Sequence, residues 1–344
     1  MKHYTVFGGM AYPVQIKVDL LKRLPAMIIS GLPAHGVRET AERVRSAIVA
    51  SGLTFPKERI VIEITSPVPI QGTGLDLGIA LEILRASGVA LPLEVATSVP
   101  WAELSLSGAL RPVRGGLAIQ QRERSSQMLV ARGQPVIDMA LKAMDLRNVL
   151  SPGQCVWEHG VFEPAVNLFE PLPEELQPYL DQAAEERPVL LRGPIGCGKT
   201  MIACRIPPLL PALSGDQAME VSALHDGAGM MGHPSYARPF RAPHHTVSQA
   251  GMFGGSSGAP GEYSLAHRGV LFLDDVEEFP MHILKEIAYL WSQPTHPLYW
   301  VGGKIDRPWK PARLVMAMTK TDHPALLARQ EKVIEIFKPV IIEM

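Results

Sequence analysis

The sequence is short of several things that would assign it to a class at once. It has only three cysteines, Cys155, Cys197 and Cys204. Their number is odd and their spacing matches no metal motif, which argues against a disulfide framework and for a reducing, cytoplasmic setting. Charge of one sign is also missing: 33 basic and 34 acidic side chains leave a net charge of −1. Any nucleic acid would therefore have to meet a local basic surface, not a global field. No apolar run approaches the ~18 residues needed to span a bilayer, so no membrane partner is expected. The opening MKHYTVFGGMAYPVQIK has no continuous apolar stretch, and we read no secretory signal in it.

What is present is the composition of a globular protein, 47% hydrophobic and 19% charged over 344 residues. That length suggests roughly two domains, each with its own core. The first half alternates strand and helix signals. VQIKVDL (Val14 to Leu20) alternates apolar and polar residues as a half-buried strand does. In VRETAERVRSAI, Val37, Ala41, Val44 and Ile48 fall on one helical face, with Gly52 as a stop. IVIEIT reads as another strand and LDLGIALEILRASG as an amphipathic helix ending at Gly88. From Val166 to Glu186 the chain is rich in Pro and Glu, the expected linker between the domains. The stretch from Gly227 to Gly261 is dense in Gly, Ser and Pro and too long for an ordinary connection, which suggests a functional insertion.

The second half opens with GPIGCGKT, Gly193 to Thr200, between the apolar run PVLLR and the helical start MIACRI. The eight residues fit G-x-x-x-x-G-K-[ST]. In that pattern the glycines let backbone N–H groups turn inward around an anion, and the following helix adds its positive end. The candidate nucleotide-binding residues are Gly193, Pro194, Ile195, Gly196, Cys197, Gly198, Lys199, Thr200 and the adjoining Met201. Lys199 would reach the β- and γ-phosphates, and the Thr200 hydroxyl would ligate Mg²⁺. ATP and Mg²⁺ are thus the expected cofactors.

Further on stands GVLFLDDVEEF. Four apolar residues running into two acids describe a buried parallel strand whose carboxyl end faces a ligand crevice. Asp274 would hold the metal through water, and Asp275 would orient the attacking water. A helix N-terminus with acids in its first turn is the plainer alternative.

Together, GPIGCGKT, RPFRAPHHTVS and GEYSLAHRGVLFLDD resemble the AAA+ ATPases of the magnesium-chelatase ChlI/ComM group. In the first half, SGLPAHGVRETAERVRSAIVASGLTFP, LDLGIAL and LSGALRPVRGG are similar to the Lon-protease-like domain that precedes the ATPase in ComM-type proteins. The resemblance implies an α/β protein: an N-terminal Lon-like (ribosomal protein S5 domain 2-like) α+β domain over residues 1–165, then a P-loop AAA+ αβα core over 166–344. It also implies a homo-oligomeric ring and, for the ComM type, DNA branch migration.

The departures from the family pattern are specific. Ile195 takes the usual Pro place in the loop. The second acid of the strand, commonly Glu, is Asp275, one methylene shorter; a displacement of about 1 Å can cost on the order of 10²-fold in rate. Thr319, in VMAMTKTDHP, replaces the polar sensor Asn. No arginine finger and no lid can be placed before the chain ends at IFKPVIIEM. The expectation is a site that binds ATP and hydrolyses it slowly or not at all, with Arg313 or Arg329 acting across a ring as the counter-reading.

Two basic stretches are candidates for nucleic-acid contact. The first holds Arg238, Arg241, His244 and His245, which could line a ring's pore or, more plainly, fix the local fold by hydrogen bonds. The histidines between His225 and His267 also raise a metal site, but no spacing among them fits zinc. The second, WVGGKIDRPWKPARL, interleaves Lys304, Arg307, Lys310 and Arg313 with Trp300 and Trp309, a pattern that suits nucleic-acid backbone and bases. A solvated hairpin is the commoner explanation. In the first half, Lon proteases need a Ser–Lys pair. Gly74 and Leu75, in PIQGTGLDLG, stand near the nucleophile's place, and Leu117, Ala118, Ile119 and Gln120 near the lysine's. No peptidase activity is expected. Asp76, the acid of that turn, reads equally as a helix N-cap. Two rival functions stay open: a nucleotide-binding scaffold or regulator with little turnover, and a chelatase-type motor that remodels a partner protein.

Overall fold

The computed structural model of the chain describes residues 1–164, 174, 177–179, 187–230, 234–300 and 303–344. The expected linker from Val166 to Glu186 lies outside the described residues apart from 174 and 177–179. The chain divides into two units, Met1–Phe162 with Ser222–Pro234, and Glu163–Val221 with Ser235–Met344.

In the first unit, β1 (His3–Phe7), β2 (Met10–Leu21), β3 (Ala26–Ser30) and β4 (Arg59–Thr65) form a sheet in the order β1-β2-β4-β3. β3 and β4 pair in parallel, and the other pairs are antiparallel. The alternation along β2 does what it predicts: Val14 and Ile16 are buried, while Gln15, Lys17 and Asp19 face solvent. α1 (Ala34–Ala50) makes the crossover between the parallel strands and buries Thr40, Val44, Ala47 and Ile48. A second sheet joins β5 (Val99–Trp101), β8 (Met128–Ala131), β9 (Ala140–Ala143) and β10 (Val156–Glu158), in the order β10-β9-β8-β5. The short helix α3 (Leu93–Thr97) leads into β5, and between the strands of this sheet lie the ribbon β6 (Glu103–Leu104) and β7 (Leu110–Arg111) and the short helices α4 (Gly116–Arg122) and α5 (Leu146–Leu150).

α2 (Asp76–Ala86) departs from the amphipathic expectation. Every residue from Asp76 to Leu84 is buried, because the helix contacts β2 of one sheet, β5 of the other and α1 as well. A helix enclosed in this way has no solvent face for a polar stripe. Asp76 is correspondingly not an N-cap; Leu75 holds that position. The Asp76 carboxylate instead takes two bonds from the Arg43 guanidinium, at 2.7 and 3.2 Å, and one from Leu104 N–H at 3.4 Å. Burial outweighs these partners and pushes its pKa up to about 6.

The second unit is built on a five-stranded sheet in the order β12-β13-β16-β11-β17. Its members are β11 (Val189–Gly193), β12 (Phe240–Arg241), β13 (Val270–Leu273), β16 (Arg313–Thr319) and β17 (Val340–Glu343), all parallel. The continuous apolar runs VLL, VLFL and LVMAM are what a sheet covered on both faces demands. One face packs on α10 (Met281–Ser292) and α11 (Pro324–Phe337), with Leu271, Leu273, Ile283, Ile287, Met316 and Val333 in its core. The other packs on α6 (Lys199–Arg205), with Leu191, Ile202, Phe272 and Val315.

The stretch from Gly227 to Gly261 is not one inserted loop. Phe240–Arg241 adds a strand to the parallel sheet beside β13, and α8 (Gln249–Phe253) buries Met252 and Phe253. Two residues of strand amid Pro and Gly leave too weak a period to detect in the sequence. Helix α7 (Gly215–Gly227) begins in the second unit, and its residues from Ser222 onward are counted in the first. There the buried Asp226 carboxylate accepts Gly115 N–H at 2.9 Å and Leu117 N–H at 3.0 Å, at the start of α4. The hairpin β14 (His296–Trp300) and β15 (Gly303–Arg307) and the short α9 (Glu262–Leu265) complete the unit.

Candidate functional site

The loop GPIGCGKT runs from the last residue of β11 into the first turn of α6. Two backbone positions in it require glycine: Gly196 (φ 82°) and Gly198 (φ 96°) are left-handed. Lys199 is 8% exposed, and its Nζ donates to Gly193 O at 3.1 Å and Pro194 O at 2.9 Å. Ile195, in the usual Pro place, stands out at 87% exposure, and Met201 is exposed beyond the loop. The Cys197 sulfur packs against Gly193, where an added Cβ would lie 2.8 Å from it.

The other candidates arrive from neighbouring strands at the same sheet rim. Gly193 is paired with Thr319 in the β11–β16 register, and Lys320 N–H donates to Gly193 O at 3.2 Å. Asp274 follows β13, and its Oδ2 accepts the Thr200 hydroxyl at 3.0 Å. The fold therefore brings the loop, Asp274 and Thr319 to the carboxyl end of the sheet, where parallel α/β folds take ligands. Asp275 is exposed and left-handed (φ 47°, ψ 54°), with its N–H on Asp274 Oδ1 at 3.2 Å. A non-glycine residue in that conformation turns the chain sharply out of the strand.

Sequence reasoning missed Glu277. It is buried, and its Oε1 accepts Thr319 N–H at 3.3 Å and the Gln330 amide at 3.1 Å. Burial raises its pKa, and the charge of Asp275 adds to the effect. Glu277 and Glu278 are identical in sequence; only their placement around the turn after β13 sends one inward and the other to solvent.

Of the six cations proposed for nucleic acid, Arg238, Arg241, Arg307 and Lys310 are committed within the unit. Arg307 is 1% exposed and donates to Phe253 O at 2.8 Å and to His296 Nδ1 at 3.0 Å. Arg241 forms a two-bond pair with Glu262 at 2.6 and 2.7 Å, and Arg238 donates to the carbonyls of Pro211 and Arg268. Lys304 is exposed. Lys310 donates to Trp291 O at 3.1 Å and lies over its ring, and Trp309 is buried edge-on to His267. Arg329 is tied to Phe279 O at 2.6 Å. His233 lies outside the described residues; among the others, His244 lies tilted against His245, while His267 meets Glu220 and Lys310. Among the described residues no group of His, Cys, Asp and Glu is arranged to hold a metal on its own, and no helix is long and apolar enough to cross a membrane.

In the first unit, the place near the expected nucleophile is filled by an indole. An added Cβ at Gly74 would lie 2.5 Å from the Trp101 ring, and Leu117, Ala118, Ile119 and Gln120 are all buried on α4.

Both halves of the chain match models of one known family. The family described as "Magnesium chelatase, subunit ChlI" matches residues 181–289, and "Subunit ChlI of Mg-chelatase" matches residues 16–133. Competence protein ComM of Haemophilus influenzae is 32% identical over 80% of this chain and 60% of its own. YifB of Escherichia coli is 33% identical over 81% of this chain and 60% of its own. An uncharacterized protein of Mycobacterium tuberculosis is 34% identical over 80% of this chain and 59% of its own. The chain thus spans about three-fifths of the length of the curated relatives it matches. Among solved structures, NtrX from Brucella abortus aligns with a TM-score of 0.33 and 18% identity, over 49% of this chain and 36% of its own.

Proposed function

Because the chain belongs to the magnesium-chelatase ChlI/ComM family of AAA+ ATPases, we propose that it binds ATP with Mg²⁺ on the loop Gly193–Thr200. The observation that carries this reading is the 3.0 Å bond between the Thr200 hydroxyl and Asp274. It places two hard oxygen donors together beside the loop, the donor chemistry that suits Mg²⁺. Thr200 would hold the ion directly and Asp274 through water. A bound Mg²⁺ would neutralise charge on the β- and γ-phosphates. Lys199 would exchange the carbonyls of Gly193 and Pro194 for phosphate oxygens, a charge-assisted bond in place of two neutral acceptors.

Isothermal calorimetry with ATP and Mg²⁺ tests the assignment. The expected result is saturable binding by the wild type and a loss of about 10- to 100-fold in Lys199→Ala. Equal affinity in the two proteins would remove the loop from the site.

The hydrolytic reading is more restrained. Asp275 would orient the attacking water from a side chain one methylene shorter than the family's Glu, and Thr319 would serve as the sensor with a hydroxyl in place of an amide. Turnover by the chain alone is expected to be slow. Assembly into a ring and action on DNA, as branch migration or related remodelling, are further parts of this proposal, supported by the family alone. The first unit is then a Lon-like module that supports the assembly without proteolysis. Slow turnover equally suits a nucleotide-binding regulator of a longer partner, and the exposed, shortened Asp275 is the observation that favours it. A chelatase-type motor acting on a partner protein is the third reading.

A further inference from the structure

Glu277 lies two residues beyond Asp275 in the turn after β13, and it is 5% exposed. Its neighbours Val276 and Phe279 belong to the apolar core under the sheet. An acid in such surroundings is tolerated where hydrogen bonds compensate its burial. Only one of its oxygens is compensated. Oε1 accepts Thr319 N–H at 3.3 Å and Gln330 Nε2 at 3.1 Å, and the same Nε2 donates to Thr319 O at 2.8 Å. Glu277 and Gln330 thus hold both backbone polar groups of Thr319. Oε2 is buried and has no partner among the described residues.

The next residue completes a chain of contacts. Lys320 N–H donates to Gly193 O, the carbonyl that also receives Lys199 Nζ. The end of β16 is therefore tied to the phosphate loop on one side and, through Glu277, to the acidic turn on the other. Asp275 itself is exposed; its N–H donates to the preceding side chain and its carbonyl accepts Glu278 N–H at 2.8 Å, so both bonds stay within the turn. The turn holds its own shape through Glu278 N–H on Asp275 O and Phe279 N–H on Val276 O, and Glu277 is the side chain of this turn that ties it to Thr319.

We propose that Glu277 is a positioning residue of the nucleotide site, locking the turn that carries Asp275 to the Thr319 end of β16 at one fixed spacing. The proposal rests on the reading of this rim as the ATP–Mg²⁺ site. A carboxyl is not required for the tie itself, since an amide oxygen can accept the same two bonds. Glu277→Gln keeps the tie, and Glu277→Ala breaks it.

The test compares the affinity of the full chain for ADP–Mg²⁺ with and without aluminium fluoride, which mimics the phosphoryl group in transfer. Wild type is expected to bind the fluoride complex more tightly than ADP. Glu277→Ala should lose about 10- to 100-fold of that preference, as misplacement of a catalytic group by about 1 Å does, with ADP affinity unchanged. Glu277→Gln should restore it to within about threefold. Where Glu277→Ala does not fold, Gln330→Met opens the same tie from the helix side, and the same loss is expected. An undiminished preference in these variants overturns the proposal. So does a wild type with no preference, or an equal loss of ADP affinity, which marks a purely structural role. Failure of the wild type to bind ATP or ADP at all is a different result: it overturns the nucleotide site itself.

Discussion

Gly193 and Thr319 face each other across the parallel pair β11–β16, and the residue after Thr319 returns its N–H to the Gly193 carbonyl at 3.2 Å. The Gly193–Thr200 loop and the end of β16 are thus held in one register by the backbone, whatever their side chains do. Asp275 stands outside this register, in the turn after β13, and its placement rests on side chains instead of on the β11–β16 ladder.

Asp275→Glu restores the usual length of that acid. If the short side chain is what slows the site, the variant should turn over ATP faster, by up to about 10²-fold. Steady-state phosphate release, measured with and without DNA, gives the comparison. Brisk wild-type turnover that Asp275→Asn abolishes would show Asp275 to be fully competent as it stands.

No peptidase activity is expected from the chain, and adding the hydroxyl cannot supply it. In Gly74→Ser the new Cβ would lie 2.5 Å from the Trp101 ring. The indole must move within a packed core, at a cost of about 1–3 kcal/mol. Thermal unfolding should therefore show a lowered midpoint, and a casein assay should remain blank in both proteins. A casein-cleaving Gly74→Ser of unchanged stability would contradict both expectations.

Arg307→Ala should destabilise the protein instead of flattening a salt dependence. It removes a buried guanidinium that holds Phe253 O and His296, a loss of about 2–4 kcal/mol. Lys304→Ala, at an exposed position of the same strand, should stay within about 0.5 kcal/mol. Denaturant unfolding of the two variants separates the roles; equal stability would return Arg307 to the surface as a nucleic-acid contact.

Mild acid should favour one buried carboxylate. Burial pushes the pKa of Asp226 up to about 6 from 3.8, against the bonds from Leu117 and Gly115. A raised folded pKa means that the favourable contribution is full below 3.8 and is lost as pH rises through 6. Between pH 7 and pH 5 wild type should gain about 1 kcal/mol relative to Asp226→Asn. His296 acts in the opposite sense, because burial and Arg307 push its pKa down to about 3. Its contribution is present above 6.5 and is lost as pH falls through 3. Residue-resolved hydrogen exchange at the two pH values can follow each group apart. A wild-type-to-Asn difference that does not move with pH would show that Asp226 carries no shift.

Much of the second unit was legible because its signals are local. GPIGCGKT needs two left-handed glycines in a fixed order, and of the two readings open for VLFL followed by two acids, the buried strand reaching a rim is the one the fold takes. The α2 helix was misread for the opposite reason. Its period is helical, but which faces are covered depends on two sheets drawn from distant parts of the chain. Arg307 and Lys304 carry the same charge and, three residues apart on one strand, point to opposite faces of it; which face is buried is set by distant Phe253 and His296. Glu277 is hidden in the same way beside Glu278.

The course of α7 has a practical consequence for anyone dividing this protein. The first unit is discontinuous in sequence: Ser222–Pro234 belongs with Met1–Phe162. A fragment cut before the phosphate loop would therefore leave the N–H groups of Gly115 and Leu117 without the Asp226 carboxylate. It would also uncover the vicinity of Val6 and Gly9, near which Gly227 lies. The N-terminal half cannot be excised as a contiguous piece and keep its native surface. A faithful fragment would have to carry residues 222–234 as a grafted or co-expressed peptide, and assays of the first unit belong on the intact chain.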